Sequence, residues 1–593
     1  MSKANAEDIK RESRGLRGQI PEVLADPGQT HFEDAENLLL KFHGTYQQDD
    51  RDLRGQLVKE KKEKAWQFMV RSKMPGGRLT AEQYLIHDRL GDSLANGSLR
   101  LTTRQGIQLH GVLKGSLKEV IATVSRSGLT TMGACGDVVR NTMGPAAALN
   151  DAAHLDAQQL AREISPRFLW RSSAYADIWL DGEKVELLAH ANQPPEAEDP
   201  IYGKVYLPRK FKMGVAVEPR NDVDVFSQDI GFVPHVVNGT VEGYSVFVGG
   251  GSGMTHGQTQ THPALAKPLS YVRRADVMDV TVAIVTTQRD FGNREDRKQA
   301  RMKYLIEQRG IDWFRGEVQR RVPHVVFESV KGVRFDTVED QLGWHAQGDG
   351  RLFCGVHISM GRVADRPDGP AYKSAFRKIV ETLRCPVIIT PNTNLVFADI
   401  DPKDKASVDA ILGAHRVPEA GGMTAARRVA HACVALPTCG LSLSESERVF
   451  HGVMDKIDNH LRELGLAEEP ILFRMTGCPN GCARPYHSDI GFVGRAPNKY
   501  AMYVGGSIRG DRLAGLEKKV VTLEEIPGLV RGLLDEFCAG RINGELFCDW
   551  VARSRDLGPA PQPDHFHVEL AERTAKLAAA KANGIGAAVF TDA

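Results

Sequence analysis

Strand-like and helix-like patterns alternate along the chain. Residues 98–112 (SLRLTTRQGIQLHGV) and 386–400 (PVIITPNTNLVFADI) both have the alternating pattern of strands, with polar residues clustered at mid-strand. Helical spacing or helix-forming composition marks the intervening segments 151–165, 296–310, 403–414, 443–464 and 523–538. The Ala- and Lys-rich stretch 567–593 predicts a helix with a loose tail. We therefore expect a fold that mixes helices and sheets.

Two distant segments of the chain contain the same short sequences. SQDIGFV at 227–233 is followed by YSVFVGGGSG at 244–253, and HSDIGFV at 487–493 is followed by YAMYVGGSIRG at 500–510. The match extends upstream, where Phe-Lys-Met at 211–213 aligns with Phe-Arg-Met at 473–475. Together with the weaker likeness of the two strand-like stretches, this gives the order A, B, A′, B′. Two related halves can enclose a site between them, and ligand sites often lie at such interfaces.

The glycines after the first repeat do not indicate a nucleotide site. Gly249, Gly250, Gly251 and Gly253 do not fit the dinucleotide fingerprint, and no Walker A sequence occurs in the chain. We interpret them as a turn after a strand, with close approach of the backbone to another ligand left open.

Composition and charge narrow the class of protein. The 593 residues suffice for roughly three or four domains, and 42% are apolar. The net charge of +1 argues against binding of nucleic acid by bulk electrostatics. No apolar run reaches membrane-spanning length and the N-terminus is polar, so a cytoplasmic protein is expected. The mixed-charge run at 59–64 (KEKKEK) is interpreted as a solvated helix face.

Four of the nine cysteines form two closely spaced pairs. Cys433 and Cys439 lie in ACVALPTCG, and Cys478 and Cys482 lie in TGCPNGCAR, where Pro, Gly and Asn favour turns. Reduced cysteines often only fill core space, and the odd count argues against a disulfide framework. Two such loops brought together would offer four thiolates to one soft metal centre. We favour this interpretation over scattered core thiols.

Zinc and iron remain alternative metals for these cysteines. The spacing of Cys478 and Cys482 suits zinc, but the five residues between Cys433 and Cys439 do not. Iron–sulfur ligation by four thiolates tolerates varied spacings. The spacing alone therefore favours iron only mildly.

Arginines and lysines recur amid residues that look buried. They are Arg71, Arg100, Arg104, Arg140, Arg209, Lys210 and Lys212. Each alone could be an exposed head on a buried stem. Lys210 and Lys212 are predicted on one side of a strand, where two ammonium groups are tolerable in a partly dry site only with an anion between them. The set predicts a small, highly charged anion, a polycarboxylate cofactor, or both.

With these motifs in hand, the chain resembles the sulfite and nitrite reductase family, whose members carry sirohaem and a 4Fe–4S cluster. The likeness runs from FHGTYQQDDRD (42–52) through LPRKFK (207–212) and TTQRDFGNREDRK (286–298) to the cysteine loops. It implies an α+β fold in which a ferredoxin-like half-domain and a larger module each occur twice about a pseudo-twofold axis. The expected divisions are 1–66, an N-terminal segment; 67–132 and 339–419, the half-domains; 133–338 and 420–562, the larger modules; and 563–593, a helical tail.

The resemblance also assigns the site residues. It makes Cys433, Cys439, Cys478 and Cys482 the cluster ligands, with Cys482 shared as the axial ligand of the sirohaem iron. It places Arg71, Arg140, Lys210 and Lys212 around the substrate. The segments that match the sirohaem lining contribute Arg100, Thr102, Arg104, Gln108, Arg209, Gln288, Arg289, Asn392 and Asn394.

The reaction implied by the resemblance is the six-electron reduction of sulfite to sulfide in sulfur assimilation. Lysine is the better proton donor because its pKa falls when it is desolvated, whereas arginine stays protonated. We therefore expect Lys210 and Lys212 to donate protons, and Arg71 and Arg140 to bind the oxyanion.

Two other functions stay open at this stage. Nitrite reductases of the family resemble RKWN where this chain has RKFK, so Lys212 favours sulfite over nitrite. A subunit that only transfers electrons would have no need for the cations. No flavin or nicotinamide site is visible, so the electrons are expected from a partner, either an NADPH-dependent diflavin reductase or ferredoxin.

Overall fold

The computed structural model describes residues 5–170, 178–180, 183–185, 199–558, 562–573 and 575. Most of the predicted C-terminal tail, 567–593, lies outside the described residues. Helices and strands both occur throughout, and the prediction of an α+β fold with duplicated modules is confirmed. Among the helices described, none is long and apolar enough to cross a membrane.

The first part of the chain forms an antiparallel sheet covered by helices. Its elements are α1 (Ala6–Glu12), α2 (Ile20–Ala25), α3 (Asp34–Leu40), β1 (Thr45–Asp49), α4 (Arg54–Lys59), β2 (Trp66–Arg71), β3 (Arg78–Leu79), α5 (Ala81–Leu94), β4 (Leu99–Leu101), β5 (Ile107–Val112) and α6 (Leu117–Arg126). The strand order is β1-β2-β5-β4. Helix α5 starts at a capping box, in which the Thr80 hydroxyl accepts from the Gln83 N–H and the Gln83 side chain accepts from the Thr80 N–H.

The next part builds a sheet that begins with a parallel pair. Its elements are α7 (Ala152–Arg167), β6 (Ile178–Leu180), β7 (Glu183–Val185), β8 (Met213–Val215), β9 (Ile230–Val237), β10 (Thr240–Val248), β11 (Lys267–Arg273), α8 (Val277–Phe291), α9 (Met302–Arg309) and α10 (Ile311–Arg321). Strand β8 runs parallel to β9, whereas β10 pairs antiparallel with both β9 and β11.

Both arrangements then recur. The third part contains β12 (Gly343–Ala346), β13 (Leu352–Val356), β14 (Arg362–Val363), α11 (Tyr372–Leu383), β15 (Val387–Ile389), β16 (Leu395–Ile400) and α12 (Lys405–Ala414). The fourth contains α13 (Ala425–Val429), β17 (His431–Ala432), α14 (Glu447–Glu463), β18 (Phe473–Thr476), β19 (Ile490–Ala496), β20 (Lys499–Val504), β21 (Gly515–Thr522), α15 (Ile526–Gly540) and α16 (Phe547–Ser554). The order β18-β19-β20-β21 repeats β8-β9-β10-β11, with β17 added at the edge.

The sheets of the first and third parts exchange edge strands. Strand β14 pairs with β4 of the first sheet, and β3 pairs with β15 of the third-part sheet, both antiparallel. Hydrophobic side chains of both sheets, such as Leu101 and Phe397, belong to one buried cluster. The two half-domains therefore share a single core and hold each other in place.

The structure corrects the alignment of the repeats by two residues. Met213 pairs with Ile230 in the first repeat, and Phe473 pairs with Ile490 in the second. Met213 therefore corresponds to Phe473, and the alignment of the two Phe-Lys/Arg-Met sequences is wrong. In the corrected alignment, Lys212 of the first repeat corresponds to Leu472 of the second.

Most of the predicted helices are confirmed, with two differences. Segment 296–310 is helical only over Met302–Arg309, after an irregular stretch. The run at 59–64 is not a helix face, because α4 ends at Lys59 and Lys61 adopts a left-handed backbone with φ of 53°. Its charges are exposed, as expected.

Candidate functional site

Two parallel strands bring the cysteine loops together. Strand β17 pairs with β18, and each is followed by one loop, so Cys433 and Cys478 start side by side. The Cys433 N–H donates to Met475 O at 3.1 Å, and the Gly477 N–H donates to the Cys433 sulfur at 3.3 Å. A side chain at 477 would collide with Ser442 Oγ, 2.0 Å from an added Cβ. Glycine is therefore required for the loops to meet.

The four thiols form one electrostatic group. Burial raises the pKa of Cys433 well above its ordinary value, and the charges of Cys482, Cys478 and Cys439 raise it further. Burial and Cys482 likewise raise the pKa of Cys478 to about 12. Such thiols become thiolates when a cation binds them. The donor set is four sulfurs, which suits a soft metal centre.

The spacing of these sulfurs bears on the choice between zinc and iron. Across the described ranges, no three His, Cys, Asp or Glu side chains converge on the position of a single ion. A zinc ion needs its ligands at about 2.0–2.3 Å. Four sulfurs are the ligand set of a structural zinc site and of a 4Fe–4S cluster alike.

The predicted substrate cations lie on segments that run side by side. Phe211 forms a parallel bridge with Val139, and the Arg140 N–H donates to Phe211 O at 2.8 Å. This pairing places Arg140 next to Lys210 and Lys212. The Lys212 N–H donates to Asp229 Oδ2 at 2.8 Å, which fixes the backbone there.

Burial and mutual repulsion lower the pKa values of both lysines. Burial, followed by the charge of Arg209, lowers the pKa of Lys210 to about 7. Burial and the charge of Lys210 hold the pKa of Lys212 well below its usual value. Both side chains are nevertheless partly exposed, so they face a cavity rather than the packed core.

The cations and Cys482 face the same cavity. Arg71, Lys210 and Lys212 each interact electrostatically with Cys482, and Arg71 also interacts with Cys439. Cys482 is the exposed member of the four cysteines, and its backbone carbonyl accepts from Thr103 Oγ1 at 2.8 Å. The structure therefore brings the cation set of one half against the cysteine set of the other.

This cavity fits anionic occupants. Within the part of the chain that the structure describes, none of the four substrate cations forms an ion pair with a carboxylate: Arg71, Arg140, Lys210 and Lys212. Buried charges without partners are costly. A polycarboxylate cofactor and a small oxyanion would supply the missing negative charge.

Several residues predicted to line the sirohaem lie at or near this cavity. In the amide orientation that satisfies both groups, the Gln108 oxygen accepts from Arg71 Nε at 3.1 Å. Arg209 lies 3.7 Å from Asp137. Arg104 donates to Gln228 Oε1 at 2.7 Å and to Met213 O at 3.1 Å, and burial lowers its pKa to about 9.

Arg100 and Thr102 hold neighbouring loops in place. Arg100 donates to Glu447 Oε2 at 2.9 Å and to Ala432 O at 2.6 Å, next to Cys433. The Thr102 hydroxyl accepts from the Gly106 N–H at 3.1 Å. The Arg100 contacts connect the first sheet to the cysteine loop, whereas the Thr102 contact closes the turn between β4 and β5.

Four other predicted cofactor contacts bond to the protein itself. Gln288 donates to Ala300 O at 2.8 Å, and Arg289 donates to Ile201 O at 2.9 Å and pairs with Asp290. The amides of Asn392 and Asn394 donate to the carboxylate of Asp340, at 3.0 and 2.8 Å. Their role as cofactor ligands stays a prediction.

The sequence analysis overlooked two residues of the cavity wall. Arg71 donates to the Cys135 sulfur at 3.2 Å. Burial and the neighbouring Cys135 raise the pKa of Tyr46 to about 12, and Arg71 and Arg140 lie close to it. Tyr46 lies within the sequence FHGTYQQDDRD (42–52), which the sequence analysis used only as evidence of the resemblance.

Comparison with known proteins agrees with this geometry. The family model described as "Nitrite/Sulfite reductase ferredoxin-like half domain" matches residues 60–126, and "Nitrite and sulphite reductase 4Fe-4S domain" matches residues 135–326. The four cysteines lie outside both matches, in the second copy of the repeat.

Relatives of known name match over nearly the whole length. The chain is 43% identical to the sulfite reductase (NADPH) hemoprotein beta-component of Geobacillus kaustophilus, over 95% of this chain and 98% of that protein. It is 42% identical to the protein of the same name in Xylella fastidiosa, over 96% and 99%. The solved structure of Mycobacterium tuberculosis NirA has the same fold, with a TM-score of 0.75 and 23% identity over 95% of this chain and 97% of NirA. The chain belongs to the nitrite and sulfite reductase family.

Proposed function

We propose that this protein is the catalytic hemoprotein subunit of an assimilatory sulfite reductase, which reduces sulfite to sulfide. The observation that carries the proposal is that Arg71, Lys210 and Lys212, which have no carboxylate partner among the described residues, lie within electrostatic reach of Cys482. Cys433, Cys439, Cys478 and Cys482 would hold a 4Fe–4S cluster, and Cys482 would also hold the sirohaem. Together these groups, when bound, would transfer the six electrons that the reaction needs from the electron donor to the substrate.

The residues of this chain provide binding and protons. Arg71 and Arg140 bind the substrate oxygens through their guanidinium groups. Lys210 has a pKa of about 7 without an anion beside it. A bound anion favours the charged form and raises that pKa, so Lys210 carries a proton at neutral pH when the substrate is present. Each departing oxygen leaves as water with protons that Lys210 and Lys212 can donate.

The electrons would come from a partner protein in the cytoplasm. The similar proteins are named as NADPH-dependent beta-components, which supports an NADPH-dependent flavoprotein as the donor. Ferredoxin is the alternative donor. Reduction of nitrite is the second candidate reaction, and Lys212 supports sulfite over it.

The test uses anaerobically purified protein with reduced methyl viologen, a donor that bypasses the natural partner. We expect a higher kcat/KM for sulfite than for nitrite. Lys212→Met should lower sulfite turnover by about 10²–10⁴-fold, the usual contribution of a positioned proton donor, and leave the visible spectrum unchanged. Lys204→Met, at an exposed lysine of the same segment, is the control. A preference for nitrite, or full sulfite turnover by Lys212→Met, would contradict the proposal.

A further inference from the structure

Arg51 lies at the point where the first strand reaches the cysteine loop. It follows β1 by two residues, and its N–H donates to Pro437 O at 3.3 Å. Its guanidinium Nη1 donates to Ser442 O at 2.6 Å and to Cys439 O at 3.3 Å. These contacts hold both ends of the segment 437–442, which contains Cys439.

The charge of Arg51 is directed at this loop. In the described residues no carboxylate forms an ion pair with Arg51, whereas the nearby Arg54 pairs with Asp49 at 2.6 Å and Arg448 pairs with Asp52 at 2.5 Å. Arg51 is also among the charges that act on the Cys439 thiol. It is half-buried, so solvent screens its charge less than that of an exposed arginine.

We propose that Arg51 is a positioning residue for the cluster ligand Cys439, and that its positive charge raises the reduction potential of the cluster. The inference rests on the proposed function, in which the four cysteines hold a 4Fe–4S cluster. Addition of an electron makes the cluster more negative, and a nearby unpaired cation stabilises that state. Net charge, hydrogen bonding and solvent exposure are the factors that set such potentials.

The same strand also reaches the anion cavity. Tyr46 of β1 lies beside Arg71 and Arg140, and Arg51 lies at the cysteine loop. Strand β1 and the two residues after it thus run from the substrate cations to the cysteine loop. This gives a physical role to the sequence FHGTYQQDDRD, which the reaction itself does not require.

The experiment compares Arg51→Gln, which removes the charge, with Arg51→Lys, which keeps it. Arg54→Gln is the matched control, because it removes a surface arginine three residues away that does not contact the loop. For each purified protein we would measure iron and acid-labile sulfide, and the midpoint potential of the cluster in a redox titration followed by EPR. We expect a lower midpoint in Arg51→Gln, and wild-type values in Arg51→Lys and Arg54→Gln.

Each outcome decides the inference. A wild-type midpoint in Arg51→Gln, or an equally lowered midpoint in Arg51→Gln and Arg51→Lys, would overturn it. If Arg51→Gln does not retain the cluster, Arg51→Lys decides: a wild-type midpoint supports the inference, and a lowered one overturns it. Wild-type protein without a cluster or without sulfite turnover would instead show failure of the proposed function, so the two failures are distinguishable.

Discussion

The aspartate of the DIGFV sequence has different partners in the two copies of the repeat. Asp229 accepts from the Lys212 N–H at 2.8 Å, and Asp489 accepts from the Leu472 N–H at 2.9 Å. In the first copy Arg301 also pairs with the aspartate, at 2.9 Å. In the second copy the described residues contain no ion-pair partner for Asp489. Both copies therefore contain the hydrogen bond from a backbone N–H to the aspartate, but among the described residues only the first copy adds an ion pair.

The difference follows what each half presents to the cavity. The first copy presents Lys210 and Lys212, and the Asp229–Arg301 pair holds their backbone from behind. The second copy presents thiols, and burial raises the pKa of Asp489 to about 7, so that it can be a neutral acid. The scaffold is thus shared, and the charge around the conserved hydrogen bond differs between the cation half and the thiol half.

The halves also meet at equivalent positions. Asp224 and Arg484 occupy the same place in the repeat, and both have left-handed backbones, with φ of 48° and 55°. They form an ion pair with each other, and Arg474 adds a bond to Asp224 at 2.8 Å. Different charges at matched positions join the two copies.

Loss of a thiol in the second half should have the largest effect. We expect Cys478→Ser to purify with little iron or acid-labile sulfide and to have no measurable sulfite turnover, because a buried hydroxyl is a poor ligand for a soft metal centre. Metal and sulfide analysis measures this directly. Cys385→Ala, at a buried cysteine outside both cysteine loops, should keep a normal iron content. Full iron content in Cys478→Ser would contradict the ligand assignment.

Breaking the charge pair of the first half should have the next largest effect. Asp229→Asn leaves Arg301 buried without its carboxylate, a change that costs about 3–5 kcal/mol in comparable buried pairs. We expect the apparent thermal midpoint to fall by several degrees at a fixed scan rate. Sulfite KM should also rise, because Arg301 no longer holds the side chain that anchors the backbone of Lys212. The matched variant is Asp489→Asn, and equal destabilisation by the two variants would remove the contrast between the halves.

The sequence was sufficient for the fold and the main parts of the site. The repeated DIGFV and Val-Gly-Gly sequences indicated the duplication. Glycine is needed there because the backbone packs closely: an added Cβ at Gly250 would lie 2.2 Å from Phe226 O. The cysteine pairs marked the thiol half. Their convergence required only that two loops follow neighbouring parallel strands.

The hydrophobic pattern of the sequence could not determine the register between the two repeats. Side chains of a strand alternate with a period of two, so a shift of two residues keeps each one on its face. Aligning Phe211 with Phe473 therefore preserved the hydrophobic pattern and was still wrong. The partnership of Asp229 with Arg301 was hidden for another reason, since it joins residues 72 positions apart that no local pattern connects.

The prediction with the smallest expected effect concerns Asp489. Because the folded-state pKa of Asp489 is raised from 3.8 to about 7, the folded protein keeps a proton that the unfolded chain releases. Stability therefore falls as pH rises from about 4 to 7 and is not regained above it. Asparagine keeps the acceptor for the Leu472 N–H and does not titrate. We expect Asp489→Asn to match wild type near pH 5 and to gain about 2–3 kcal/mol by pH 8, since the interval from pH 5 to the folded-state pKa of about 7 spans two units and each unit corresponds to about 1.4 kcal/mol. Thermal midpoints across this range measure it, and a constant difference between the two proteins at all pH values would show that Asp489 is charged in the folded state.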